Sequence, residues 1–234
     1  MNSEILENIY HTEKYQTYRM QYSLNNPDFT RIKQTPERLD LGDGYYGLRN
    51  SYECQNISYH WSNSQTVIFD KGDKEVYRYE NINSEAEFLT LIHHKNQHDY
   101  LLFRVDLYGY GVFDLVDNSE FIFVPEGETF ILTDPRYNPI NNILAVGGCY
   151  WACPGSVILL DFTQPLVPHP YKDVMDYING GYDSYDGIKS FFWQGTDLIA
   201  VPYELTDIPK KQTNEKGELC IIEDEYLSWL SSKP

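Results

Sequence analysis

The sequence predicts an all-β protein built as an antiparallel meander, and three observations lead to this class. Short apolar or alternating runs recur along the chain and are separated by Gly, Pro, Asn and Asp. Aromatic residues make up 15% of the 234 residues, with 21 tyrosines, and such side chains suit pleated, half-buried surfaces. Helical periodicity is not sustained over any long stretch. We therefore expect one all-β domain over residues 1–234.

The first part of the chain predicts a short helix and then strands. Apolar residues at helical spacing indicate the helix over residues 3–10, whereas Tyr18, Met20 and Tyr22 alternate as in a strand. The sequence DKGD at 70–73 is a strong turn signal. Further strands are predicted at 44–48, 58–61, 66–69, 75–79, 88–92, 100–105, 110–116 and 120–124.

The second part continues the same pattern. Asp134-Pro135 is predicted to stop a strand over 129–133, and the run QPLVPHP to interrupt the ladder, because proline has no N–H to donate. A short helix is expected at 171–178, and the acidic, aromatic segment 223–229 suits either a strand or a helix. The other predicted strands are a pair within 141–162 and single strands at 188–193, 198–203 and 218–222.

The number of short strands favours a propeller-like arrangement. Blades of four strands and about 40–45 residues divide the chain into about five blades. A β-sandwich is the alternative. The segments DYLLFRVDLYGYGVFDL (99–115) and FILTDPRYNPINNILAVGGCYWACPGSVILLDF (130–162) resemble parts of an uncharacterised bacterial family, and the second is similar in style to WD-repeat blades without their Gly-His and Trp-Asp signatures. The resemblance implies a β-propeller-like fold and no particular activity.

The charge distribution limits the classes of partner. The formal net charge is −17, of which −1 falls on residues 1–50 and −16 on residues 51–234. Residues 1–50 are thus a less acidic portion of the same domain. An acidic surface repels phosphate backbones and anionic membranes, so we expect no binding to nucleic acid or membrane. The first residues lack a signal-peptide pattern and the apolar runs are short, which predicts a cytoplasmic protein with reduced cysteines.

Several residue groups permit a metal or redox interpretation, and each has a simpler structural one. Cys149 and Cys153 suit two packed thiols better than a redox pair or a metal site. The histidines at 93, 94 and 98 suit a polar hairpin tip better than a metal site. Asp183 and Asp186 suit a turn better than a calcium loop. We therefore predict no cofactor, no metal and no catalytic residue, and we expect Asp114 and Asp161 to cap turns.

Aromatic residues in predicted turns are the best candidates for a contact surface. Exposed aromatic rings stack on sugars, peptides or partner chains, although rings can also fold inward and plug a β-structure. An aspartate and an arginine in TDPRY add polar contacts nearby. The predicted binding residues are Tyr108, Tyr110, Asp134, Arg136, Tyr150 and Trp151.

Three functions are compatible with these features. The first, which we prefer, is a binding or interaction scaffold that uses the aromatic turns to engage an unidentified protein or small molecule. The second is a hydrolase-type enzyme with a dispersed acidic site, since 35 acidic residues offer many carboxylate pairs. The third is an acidic immunity-type protein that neutralises a basic toxin. Without a recognisable catalytic motif, we lean against an enzyme.

Overall fold

Antiparallel β-sheets dominate the structure, a computed structural model that describes residues 6–26, 31–33, 36–54, 61–83, 87–204 and 217–231. These residues form two compact units. The N-terminal unit comprises Glu7–His93 and His98–Glu126, and the C-terminal unit comprises Met1–Leu6, His94–Gln97 and Gly127–Pro234. The prediction of a mostly β, antiparallel protein is confirmed. The prediction of one domain over residues 1–234 stays a prediction.

The N-terminal unit contains one helix and two sheets in its described part. The first sheet has the order β1-β3-β4-β5, with β2 also paired to β3, and the second runs β6-β7-β8-β9. Every strand pair is antiparallel. The elements are α1 (Glu13–Tyr22), β1 (Arg31–Lys33), β2 (Glu37–Gly42), β3 (Tyr45–Cys54), β4 (Trp61–Phe69), β5 (Glu75–Asn81), β6 (Leu89–His93), β7 (Asp99–Arg104), β8 (Tyr110–Asp114) and β9 (Ser119–Phe123).

Alternating side chains of these strands build the core of the N-terminal unit. Ile68 and Phe103 are fully buried, and the Tyr77 ring stacks on Phe113 with 4.0 Å between centroids. Burying such rings and branched side chains contributes about 1.5–3 kcal/mol each. The DKGD turn is confirmed, because Asp70 Oδ1 accepts hydrogen bonds from the N–H groups of Gly72 and Lys74 at 2.8 and 3.1 Å.

The helix of this unit lies where the alternation of tyrosines predicted a strand. Thr12 caps α1 by accepting a hydrogen bond from the Tyr15 N–H at 3.3 Å, which satisfies a donor that the first helical turn leaves free. Tyr15, Tyr18 and Tyr22 then form a ladder of neighbouring rings at i, i+3 and i+7. The strand prediction is wrong, because Tyr18 and Tyr22 are four residues apart and such a pair shares one face in a helix as well as in a strand. The expected helix over 3–10 is also wrong for its described residues, since Asn8 forms a bridge to Pro125.

The C-terminal unit contains two sheets and three helices in its described part. The sheets have the orders β10-β11-β12-β13 and β14-β15-β16, again with antiparallel pairs. The elements are β10 (Ile131–Asn138), β11 (Ile143–Cys149), β12 (Gly155–Asp161), β13 (Tyr171–Asp173), α2 (Val174–Tyr177), α3 (Gly181–Ser184), β14 (Tyr185–Gln194), β15 (Asp197–Glu204), β16 (Leu219–Ile221) and α4 (Glu223–Ser231).

Helix α4 seals the core of this unit. Its Tyr226 is fully buried, and the phenol donates a hydrogen bond to the Thr196 carbonyl at 2.7 Å. The same oxygen accepts from Asn141 Nδ2 at 2.6 Å. The helix therefore joins the core through one satisfied polar side chain, as a buried tyrosine requires. The sequence of this segment suited either a strand or a helix, and the structure shows that it is a helix.

Strand β10 passes through the proline that was predicted to end it. Asp134 and Pro135 pair with Gly147 and Val146 of β11, and the strand continues to Asn138. A bulge between Leu132 and Asp134 shifts the register at this point. Since β10 is the first strand of its sheet, a residue without an N–H is tolerated there. The prediction that this dipeptide stops the strand is wrong for that reason.

Most other expectations for this unit are confirmed. The pair within 141–162 consists of β11 and β12, in register from Ile143 opposite Asp161 to Cys149 opposite Gly155. The proline-rich run separates β12 from β13. The prediction of one helix over 171–178 is wrong, because the segment is strand β13 followed by the single turn α2.

Candidate functional site

Two clefts flank the loop between β11 and β12 in the C-terminal unit, with volumes of about 400 and 420 Å³. Cys153 contributes to both. The first, here called the tyrosine cleft, is formed by three tyrosines and three aspartates and also touches Cys153 and Pro154. Those six residues are Tyr150, Asp173, Asp176, Tyr182, Tyr185 and Asp186. A volume of this size accommodates a small molecule or one side chain of a partner.

Short elements place these side chains around one opening. Tyr150 follows β11, and its carbonyl accepts a hydrogen bond from the Cys153 N–H at 3.0 Å, which closes a tight turn. Asp173 ends β13 and caps α2. Tyr182 belongs to α3, whose end leads directly into Tyr185, the first residue of β14. The cleft thus collects residues from the loop after β11 and from the successive elements β13, α2, α3 and β14.

Asp173 is the buried anchor of the cleft, with 3% of its surface exposed. Its Oδ1 accepts hydrogen bonds from the Ser156 hydroxyl and from the Met175 N–H, the latter at 2.9 Å. Its Oδ2 accepts from the Tyr182 hydroxyl at 3.4 Å. Burial raises the pKa of Asp173, although these donors oppose the shift. Because both oxygens are engaged, Asp173 holds the cleft together.

Two tyrosines of the cleft, Tyr150 and Tyr182, keep their phenols neutral. Burial raises the pKa of Tyr150, and the neighbouring Tyr171 and Asp173 add to the shift. Burial raises the pKa of Tyr182 to about 12, with the negative charge of Asp173 adding to the shift. Neutral phenol rings present a negative face to the space between them. The charges that line the tyrosine cleft are therefore those of carboxylates, among them the exposed Asp176 and Asp186.

The second cleft is lined in part by Asp134 and Arg136, two of the predicted binding residues, and these two form an ion pair with each other. Arg136 Nη2 lies 2.8 Å from Asp134 Oδ2. The guanidinium also donates to the Phe191 carbonyl and lies 4.6 Å from the centre of the Phe191 ring. The Arg136 carbonyl accepts from Trp193 Nε1 at 2.9 Å. Arg136 therefore ties β10 to β14, and this structural role accounts for its polar contacts.

The six predicted binding residues are divided between the two compact units. Tyr150 lines the tyrosine cleft. Trp151 is 59% exposed at the loop tip and is not among the residues that line either cleft. Tyr108 and Tyr110 belong to the N-terminal unit. Tyr110 was predicted both to begin the strand over 110–116 and to belong to the turn aromatics. It begins β8, is 6% exposed and packs on Phe123 at 5.7 Å between ring centroids, so the strand prediction is confirmed and the turn prediction is wrong.

Sequence reasoning missed most of the tyrosine cleft. Asp173 and Asp176 lie in the segment expected to be one helix, and Tyr182, Tyr185 and Asp186 lie in a segment interpreted as an ordinary turn. The available signal was the density of tyrosines and aspartates in YDSYDG at 182–187, beside a further Asp-Tyr pair at 176–177. That pattern shows which residue types are present, but it does not show that their side chains meet around one cleft. Their meeting depends on the chain reversal through α2 and α3.

The other candidate groups resolve into ordinary contacts with one exception. Cys149 and Cys153 are free thiols. Asp114 and Asp161 cap turns as predicted, accepting from the N–H groups of Val116 and Thr163 at 2.8 and 2.9 Å. Over the described ranges, one cluster has three groups of metal-ligand type within 4.8 Å of one another, and it lies in the N-terminal unit. Neither the cysteine pair nor the segment 179–187 forms such a cluster.

Comparison with known proteins adds no assignment to this geometry. No protein-family model matches the chain, and no curated protein matches it significantly. No helix in the described ranges is long and apolar enough to cross a bilayer.

Proposed function

We propose that the protein is a binding protein whose tyrosine cleft holds a cationic group, an ammonium or a guanidinium. The observation that carries the proposal is the lining itself. Tyrosine rings and aspartates surround the opening, and Lys and Arg are not among the described residues that line it. Aromatic faces attract cations by about 0.5–2 kcal/mol each, and carboxylates beside them add charge attraction.

The aspartates of the cleft have different roles, and this difference favours binding over acid–base catalysis. Asp173 is committed to Ser156, Met175 and Tyr182 and supports the wall of the cleft. Asp176 and Asp186 are exposed and supply negative charge at the opening. A ligand cation therefore meets charge at the rim and rings inside, which is the arrangement that quaternary and primary ammonium groups prefer.

The size and charge of the protein extend the proposal to a basic partner chain. The cleft accepts one lysine or arginine side chain, and the −16 charge of residues 51–234 attracts a basic surface. Trp151, exposed on the loop that carries Tyr150, offers such a partner an additional aromatic contact. An immunity-type protein that neutralises a basic toxin in the cytoplasm is the form of this proposal that the charge favours.

Titration of the purified chain with matched ligands tests the proposal. We expect tetramethylammonium and arginine amide to shift the tyrosine ring resonances with millimolar or tighter Kd, and tert-butanol and glutamate to bind at least tenfold more weakly. The double variant Asp176→Asn with Asp186→Asn should weaken cation binding at least tenfold. Asp183→Asn is the matched control, because Asp183 is exposed in α3 but is not among the residues lining the cleft. Equal losses in both variants, or preference for the neutral ligand, contradict the proposal.

We also propose that the sheets are blades of a propeller-like fold. Two observations support this: β6–β9 and β10–β13 are consecutive four-stranded meanders in simple order, and β14–β16 follow the same order. Such repetition is typical of blades. Small-angle X-ray scattering tests it, since a propeller predicts a compact disc, whereas two separate sandwiches predict an elongated particle.

A further inference from the structure

The metal-type cluster of the N-terminal unit contains one imidazole and two carboxylates that converge on one point. His98 Nδ1 lies 2.7 Å from Asp114 Oδ2 and 4.0 Å from Asp117 Oδ2. His98 immediately precedes β7, Asp114 ends the adjacent strand β8, and Asp117 lies in the following turn. Because β7 and β8 are paired, with Tyr100 opposite Asp114, the three residues meet at the same end of the sheet.

A nearby histidine shows why this convergence matters. His93 also approaches two carboxylates, but through opposite ring nitrogens: Nε2 lies 3.2 Å from Asp43 and Nδ1 lies 2.7 Å from Asp99. Two carboxylates on opposite sides of a ring cannot share one ion with it. At His98 both carboxylates face the same nitrogen, which carries at most one proton and can donate it to one of them. A divalent cation in that position serves all three groups at once.

The supports of the cluster match those of a metal site. Asp114 is 2% exposed, and its other oxygen, Oδ1, accepts from the Val116 and Asp117 N–H groups at 2.8 and 3.1 Å. These bonds fix the carboxylate and direct Oδ2 toward His98, as outer-shell partners do for metal ligands. Asp117 is 65% exposed at its side chain and has room to close the 4.0 Å gap. Ligand atoms around one zinc ion lie roughly 3–3.5 Å apart, so the required movements are small.

We propose that His98, Asp114 and Asp117 bind one divalent transition-metal ion, with zinc as the first candidate and manganese as the second. Mixed imidazole and carboxylate ligands select these ions over calcium and magnesium, which prefer oxygen alone. Three protein ligands leave positions for water or for an oxygen of a bound molecule. The site lies in the other compact unit from the tyrosine cleft, and it does not depend on the cation-binding function proposed above.

Calorimetric titration of the chelator-treated full chain with ZnCl₂ and MnCl₂ tests the site, and Co²⁺ provides a spectroscopic probe. We expect one zinc ion per chain with Kd of 10 μM or below, weaker binding of CaCl₂ by at least 100-fold, and visible absorption bands on Co²⁺ addition. Asp117→Asn and His98→Ala should each weaken zinc binding at least tenfold. Because Asp117 is exposed, its variant keeps the test valid if the other is unstable.

The matched control is His93→Ala, which removes an exposed imidazole that also has two carboxylate neighbours. It should change the zinc Kd less than twofold. Several weak sites per chain, an equal loss in His93→Ala, or no loss in Asp117→Asn identify an adventitious ion only and overturn the proposal. Binding of cationic ligands to the tyrosine cleft is unaffected by any of these outcomes, so the two proposals fail independently.

Discussion

Asp114 in the N-terminal unit and Asp173 in the C-terminal unit are buried to the same extent, yet their carboxyl groups respond to burial in opposite ways. Their exposed fractions are 2% and 3%. The pKa of Asp114 is lowered, whereas the pKa of Asp173 is raised. Removal from water penalises the charged form of both. The balance between this penalty and the donors around each carboxylate therefore decides the direction.

The donors of Asp114 favour its charged form strongly enough to outweigh burial. His98 and two backbone N–H groups surround this carboxylate, and protonated imidazole brings a positive charge. Asp173 instead receives two hydroxyls, from Ser156 and Tyr182, and one backbone N–H. Neutral hydroxyls bond a carboxylate less strongly than charged donors do. Three donors surround each carboxylate, and the charge of one donor of Asp114 is one cause of the opposite pKa shifts.

The largest expected effect is a loss of stability in acid that arises from His169 of the C-terminal unit. It has to be separated from the titration of the two aspartates. Burial lowers the pKa of His169 to about 4, against 6.5 for an unburied histidine. The unfolded chain therefore binds more protons between these values, and stability that is present above pH 6.5 is lost as pH falls toward 4. A shift of this size corresponds to roughly 3 kcal/mol. Urea denaturation at pH 7 and pH 4, followed by circular dichroism, measures the loss.

A variant separates this histidine from the aspartates. His169 lies against the Phe162 ring at 4.9 Å between centroids and has Nε2 3.0 Å from the Gln164 carbonyl. His169→Gln retains a donor and removes the titration, so it should lose less stability on acidification than the natural chain. An unchanged acid response in this variant contradicts the assignment. In the His169→Gln variant, the effects of Asp114 and Asp173 on stability in acid can be compared without the contribution of the histidine.

The second-largest expected effect is a difference in stability between two variants in which Asp114 or Asp173 is replaced by the neutral asparagine. Asp114→Asn removes the charge that His98 and two N–H groups stabilise, and it should cost about 2 kcal/mol at pH 7. Asp173→Asn should cost less than about 1 kcal/mol, because the charged form there is already disfavoured and the amide still accepts from Ser156 and Met175. Urea denaturation of both variants beside the natural chain measures the difference. Equal losses of stability in the two variants, or a larger loss in Asp173→Asn, contradict the expected difference between the two carboxylates.

The smallest expected effect concerns the weakest donor of Asp173. The Tyr182 hydroxyl lies 3.4 Å from Oδ2, and the residue is 38% exposed. Tyr182→Phe should therefore change the free energy of unfolding by less than about 0.5 kcal/mol. It should also leave arginine amide affinity within twofold, since the ring face is retained, whereas Tyr182→Leu should weaken it several-fold. Similar losses in both variants show that the hydroxyl rather than the ring contacts the ligand.

The sequence predicted the strands better than the places where they meet. Alternation and turn residues identify the β11–β12 hairpin, because its signal is local and its register follows from the short loop. Tyr110 shows the limit of that approach. The sequence placed it both at the start of the strand over 110–116 and among the turn aromatics. Its backbone pairs with Arg104 and Phe123 in the ladder, so long-range pairing decides between the two.

The candidate sites depended on contacts that spacing does not encode. Asp173 and Ser156 are 17 residues apart and meet only because β12 pairs with β13. His98 and Asp114 are 16 residues apart and meet through the pairing of β7 with β8. The sequence drew attention to His98 but did not identify Asp114 and Asp117 as its carboxylate neighbours. The adjacent Asp99 contacts His93 instead, because the two residues are opposite each other in the β6–β7 pair.

The proline in β10 has a consequence for the behaviour of the protein at high concentration. An outer strand offers its unpaired backbone groups to any second chain that can extend the sheet, which is how many β-proteins begin to aggregate. Pro135 removes a donor from this strand, and the irregularity near Thr133 interrupts the straight run that another strand needs. The side of the sheet that carries β10 is thus a poor template for strand addition between molecules.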